Sequence, residues 1–103
     1  MNKVLLSEED RERIVASVFD KFRQDRFCQK LYKDLLAEHN PVEVEKKFRD
    51  FIEEHNMSPE DIRNLIVFFK TEGLLKEHVK REGLHNVWIK LRNEYAPGLF
   101  IEN

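Results

Sequence analysis

Residues 40–73 read NPVEVEKKFRDFIEEHNMSPEDIRNLIVFFKTEG, and this stretch decides the fold. Pro41 and Pro59 each follow a residue that caps helices well, Asn40 and Ser58. A proline fits the first helical position because the N–H it lacks would have no partner there. An acid stands at the third position after each cap, Glu43 and Asp61, where it suits both capping and the positive end of the helix dipole. Between these marks the apolar residues recur at helical spacing: Val44, Phe48, Phe51 and Ile52, then Ile62, Leu65, Ile66, Val67, Phe68 and Phe69. Gly73 fits the left-handed position that ends the second run. Two consecutive helices follow, over 41–55 and 59–72, read as a helical hairpin.

The same grammar extends in both directions. Ser7 caps a segment that runs to Gln24 and carries Ile14, Val15, Val18, Phe19 and Phe22 on one stripe. A second segment, from about Asp25 to Glu38, repeats the pattern with Phe27, Cys28, Leu31, Tyr32, Leu35 and Leu36. No glycine or proline separates these two, so 7–38 is either two helices or one helix bent near Gln24-Asp25. After Gly73 comes a short helix with Leu75 and Val79, and Gly83 fits its C′ position. A final helix over 84–95 holds Leu84, Val87, Trp88, Leu91 and Tyr95, closed by Pro97-Gly98. No segment alternates with period two for the length of a strand. The expectation is one all-α domain over 1–103, a bundle of five or six short amphipathic helices with an apolar tail at 97–103.

Composition agrees and removes several function classes. The chain has 103 residues, is 37% charged, and carries 18 bases against 20 acids for a formal charge of −2. That balance supplies no global attraction to phosphate. No apolar run approaches the roughly 18 residues a membrane span needs, and the N-terminus turns acidic at Ser7-Glu8-Glu9-Asp10 before a signal sequence develops. A single cysteine permits no internal disulfide and suggests a reducing, cytoplasmic setting.

Catalytic motifs are missing. Three isolated glycines make no phosphate loop, and His39, His55, His78 and His85 include no i, i+4 pair for a metal. Cys28 sits on an apolar stripe and reads as a core thiol. The pairs Glu53-Glu54 and Glu8-Glu9-Asp10 read as solvated helix ends. No cofactor and no metal are expected. The pair of helices around Asn56-Met57-Ser58 has a helix-turn-helix outline, but Glu60 and Asp61 at the start of its second helix would repel phosphate.

Two apolar features exceed what a small bundle needs. With Ile62 as origin, Val67 lies near 140° and Phe68 near 240° around its helix, so the apolar arc covers roughly two thirds of the circumference. Either this is the central helix, wrapped by the others, or Val67 and Phe68 stand exposed as a docking patch. Leu99, Phe100 and Ile101 likewise either fold back or dock elsewhere. Charge is also uneven. Residues 38–61 hold eight acids against three bases, whereas 73–93 hold five bases (Lys76, Lys80, Arg81, Lys90 and Arg92) against two acids.

The chain resembles the small phage anti-sigma factors. The likeness is carried by the Met1-Asn2-Lys3 start, by Arg11-Glu12-Arg13-Ile14-Val15-Ala16-Ser17 followed by Lys21-Phe22, and by Phe48-Arg49, Glu60-Asp61, Leu65-Ile66 and Glu72-Gly73. It spans most of the chain but requires an insertion around Leu74 to Gly83. Those proteins are all-helical and bind the promoter-reading region of the bacterial housekeeping sigma factor. The resemblance implies a self-association and sigma-binding face at Ile14, Val18 and Phe22.

Together these features predict a non-enzymatic, cytoplasmic binding module, a regulator or inhibitor of a larger complex. Its expected contacts are Val67, Phe68 and Leu99–Ile101, with another protein or a second copy as partner. The alternative is a nucleic-acid-binding protein using Lys76, Lys80, Arg81, Lys90 and Arg92.

Overall fold

The computed structural model describes residues 17–81 and 83–99. Regular structure among them is entirely helical: α1 (17–24), α2 (Arg26–Ala37), α3 (Pro41–Glu54), α4 (Pro59–Thr71), α5 (Leu74–Val79) and α6 (Leu84–Tyr95). The chain is an all-α bundle.

Side-chain caps set the starts. The Asn40 carboxamide oxygen accepts from the Val42 and Glu43 N–H groups at 2.9 and 3.4 Å, and Ser58 Oγ accepts from Asp61 N–H at 3.1 Å. Asp25 divides α1 from α2. Its backbone is extended (φ −79°, ψ 113°) and its carboxylate accepts from the N–H groups of Phe27 and Cys28 at 2.8 and 3.0 Å. A cap of this kind is worth about 0.5–2 kcal/mol, enough to start a new helix without glycine or proline.

The glycines behave differently from each other. Gly73 (φ 93°) follows the last residue of α4 and donates its N–H to the Lys70 carbonyl at 3.1 Å, a left-handed helix end. Gly83 (φ 82°) is not the C′ residue of α5, because α5 already closes at Lys80; it opens α6 instead. A Cβ there would lie 2.8 Å from the Cγ of Pro41, so α6 begins in direct contact with the start of α3.

Packing pairs α2 with α3 and α5, α3 with α6, α4 with α5 and α6, and α5 with α6. The hairpin expected over 41–72 is therefore loose, since α3 and α4 are not among these pairs. Asn56 (φ 48°) turns the chain out of α3, and Trp88 from α6 wedges between the two helices. Its ring meets Phe48 edge-on at 5.5 Å and Phe69 at 6.3 Å. Leu35, Val44, Phe48, Leu65, Ile66, Phe69, Leu74, Leu84, Trp88 and Leu91 are wholly buried around that contact.

The surplus apolar face of α4 is absorbed inside the molecule. Phe68 is 4% exposed, and the rings of Phe19 and Phe22 on α1 close over it at 5.4 and 5.3 Å. Phe68 is thus a core residue, and its expected place in an exposed docking patch is overturned. Val67 is half-buried against the same core.

Candidate docking surface

The expected contact residues do not form one surface. Val18 and Phe22 are half-buried on α1, with Phe22 packed onto the core beside Phe68. Leu99 is half-buried against the core, with its carbonyl oxygen accepting from Arg92 Nη1 at 3.3 Å. The tail folds back at least that far. Ile14, Phe100 and Ile101 lie outside the described residues.

The basic residues of the C-terminal half are largely committed to their own chain. Arg81 Nη1 donates to the carbonyls of Leu36 and Glu38 at 2.6 and 3.0 Å, which caps the end of α2. Lys90 pairs with Glu45 at 2.9 Å, Arg92 holds Leu99, and Lys80 lies 3.4 Å from Glu77. Lys76 is exposed and pairs with no other described residue. Five cations read from the sequence as a stripe are mostly internal clamps, so the phosphate-binding alternative gains no support from their placement. A second clamp joins α3 to α6: Arg49 donates to Glu45 at 2.9 Å and to Glu94 at 2.7 Å. Hydrogen bonds from Lys90 and Arg49 hold the Glu45 carboxyl below the usual carboxylate range, and Arg49 does the same for Glu94.

Two reactive side chains sit inside the fold and are chemically quiet. Burial, with the nearby Asp25 charge adding to it, pushes the Cys28 thiol up to about 12, far from a nucleophilic thiolate. His78 is wholly buried between α2 and α6. The Trp88 indole N–H donates to its Nδ1 at 2.8 Å, so Nδ1 is bare and Nε2 carries the hydrogen, which points at the Leu35 carbonyl 2.7 Å away. Both ring nitrogens are satisfied only when the ring is neutral. Burial lowers the His78 pKa, and Arg81 and His39 add to that against the Leu35 hydrogen bond. Among the described residues no group of three His, Cys, Asp or Glu side chains is placed to hold a metal. No helix of the described residues is long and apolar enough to cross a membrane.

The open surface is the cleft between α2 and α3, with a volume of about 230 Å³. Its floor is Leu31 and Phe51, and Phe27 stands over one end, 52% exposed. His55, the residue that closes α3, joins the two phenylalanines: its ring lies 5.5 Å from Phe27 and 4.2 Å from Phe51. Arg26 leans over the outer face of Phe27 at 5.4 Å. The walls are ionic. Lys30 pairs with Asp34 at 4.0 Å and Lys47 with Glu38 at 3.4 Å, whereas Asp50 and Glu54 pair with no other described residue. A neighbouring depression is lined by Asp50, Glu53 and Glu54.

Phe27 is the residue that sequence pattern misplaced. It belongs to the apolar stripe of α2 by spacing, but lies about 40° to one side of Leu31 while Cys28 and Leu35 lie to the other. Asp25 ends α1 just before it, and no helix of the described residues covers its ring.

A second groove, of about 360 Å³, lies among α1, α2 and the end of α4. Tyr32 and Phe68 form its floor and Arg23, Gln29, Lys33 and Glu72 its rim. Much of this rim is bonded to itself: Arg23 Nε donates to Glu72 at 2.6 Å, Gln29 Nε2 donates to the Arg23 carbonyl, and the Tyr32 hydroxyl donates to the Glu72 carbonyl at 2.9 Å. No protein-family model matches the chain, and no curated protein or solved structure matches it either.

Proposed function

We propose that this chain is a non-catalytic, cytoplasmic binding module that regulates or inhibits a larger complex by docking through the α2–α3 cleft. An anti-sigma-like transcription regulator is one form this function takes, in keeping with the resemblance noted in the sequence. The observation that carries the proposal is Phe27. A phenylalanine more than half exposed, stacked on His55 and continuous with Phe51, leaves apolar area in water that a partner would remove. Burying one such ring is worth about 1.5–3 kcal/mol, enough to anchor a modest interface. The ionic walls supply orientation.

The test is Phe27→Asp in the full chain. Circular dichroism and the melting temperature should stay near the wild-type values, while native partners captured by the wild type, or its self-association in sedimentation, should be lost. Unchanged capture and unchanged self-association by the variant would overturn the cleft as the docking surface.

A further inference from the structure

We propose that the α2–α3 cleft receives a helix of a partner protein that presents lysine or arginine beside an apolar anchor. The inference rests on the docking function proposed above and assigns the chemistry of its occupant. It begins with an electrostatic conflict in α3. Asp50 and Glu54 stand at i, i+4 on the same face, where like charges destabilise a helix. Glu53 and Glu54 also fall in the last turn, at the negative end of the helix dipole, and that turn contains no base.

The cations nearest to this face do not relieve it. Lys47 is turned to Glu38 and Lys30 to Asp34. The bundle meets its other ionic conflicts internally, as the Arg49 and Lys90 clamps show. At the end of α3 it leaves carboxylates together, beside an open ring. Local conflicts of this kind concentrate at functional surfaces.

A cationic helix would resolve both defects at once. Asp50 and Glu54 are about 5–6 Å apart at Cβ, the same spacing that bases have at i, i+4 on a partner helix. The aliphatic stem of such a base suits the Phe27 ring, just as Arg26 already lies against it. An apolar side chain from the adjacent turn reaches the Phe51 floor, the usual way an amphipathic helix seats in a groove.

The experiment titrates the full chain, by calorimetry, with three synthetic helical peptides. They share one leucine face and differ only at the polar positions, which are lysine and arginine, glutamine, or glutamate. The expected order of affinity is basic, then neutral, then acidic, with the basic peptide weakening as salt rises. The double variant Asp50→Asn, Glu54→Gln should lose about three- to tenfold in affinity for the basic peptide, the sum of two exposed ion pairs. The same variant should melt no lower than the wild type, because it removes a repulsion. Phe27→Ser should abolish binding of every peptide. Equal affinity for the basic and acidic peptides, absence of any binding, or basic binding that survives Phe27→Ser would each overturn the cationic occupant. If the neutral peptide binds best and needs Phe27, the cationic chemistry fails while the docking function stands. If Phe27→Ser instead converts a dimer to a monomer, a second copy is the occupant and the proposal falls.

Discussion

Phe68 and Phe27 come from equally apolar surroundings in sequence and finish in opposite environments. Phe68 is enclosed by Phe19, Phe22 and Phe69, three rings within 6.0 Å of its own. Phe27 meets His55 on one side and solvent on the other. Both sit on amphipathic helices, and both have aromatic neighbours at similar distances. What separates them is a third helix: α1 lies across α4, whereas among the described residues nothing lies across the seam of α2 and α3. Aromatic clustering alone therefore does not mark a core. Closure of the cluster does, and closure is a property of distant chain segments.

That contrast can be broken or sharpened by substitution. Phe68→Ala should cost about 3–5 kcal/mol in chemical denaturation, the usual loss for emptying an enclosed aromatic site. A loss below about 1 kcal/mol would mean that α1 does not cover α4 in solution. Next in size is Gly83→Ala, expected to cost about 1–3 kcal/mol because a side chain is strained at that positive φ and its Cβ runs into Pro41. A wild-type melting temperature in that variant would show that α6 and α3 meet less closely at their starts.

His78 provides a third, pH-dependent measure of how well the core is sealed. Folding favours its neutral ring, so the unfolded chain binds the proton more tightly. Its contribution is complete above the ordinary histidine value of about 6.5 and is lost as pH falls through that value toward the lower folded one. Protonation would place a hydrogen on Nδ1, directly against the Trp88 N–H. Unfolding free energy measured at falling pH should decline below about pH 6.5, and His78→Gln should flatten that slope. An identical slope in the variant would assign the titration to other groups. The smallest effect is expected at the open cluster. Phe27→Ser should change stability by no more than about 0.5 kcal/mol. A loss as large as that of Phe68→Ala would erase the distinction between the two rings.

Much of this architecture was legible in local chemistry. Asn40-Pro41 and Ser58-Pro59 fix the starts of α3 and α4 through their own side chains, and Gly73 fixes an end through its backbone. The break at Asp25 was harder to read, since aspartate is tolerated inside a helix and acts as a cap only once the backbone has opened there. The fate of Phe68 was not legible. Its arc on α4 showed that a cover was needed, but whether that cover came from α1 or from another molecule depended on how α1 approaches. His78 was equally hidden. Within Leu74-Leu75-Lys76-Glu77-His78-Val79 it looks like surface, yet it takes a core position because an indole N–H and a backbone carbonyl from two other helices match its two nitrogens. The docking surface was hidden for the converse reason. Phe27 keeps helical register with buried residues and is exposed only because α1 ends at Gln24 and no helix of the described residues replaces it.

The end of α2 carries a consequence for how the chain assembles. Its final carbonyls find few partners nearby: Leu35 accepts from His78, and Leu36 and Glu38 accept from Arg81, at sequence separations of 43 to 45. A helix terminus finished by remote donors cannot be completed ahead of them. Fraying of this terminus and release of the segment around α5 are thus one event. Amide protons at both places should exchange together, at a rate set by opening of the whole bundle.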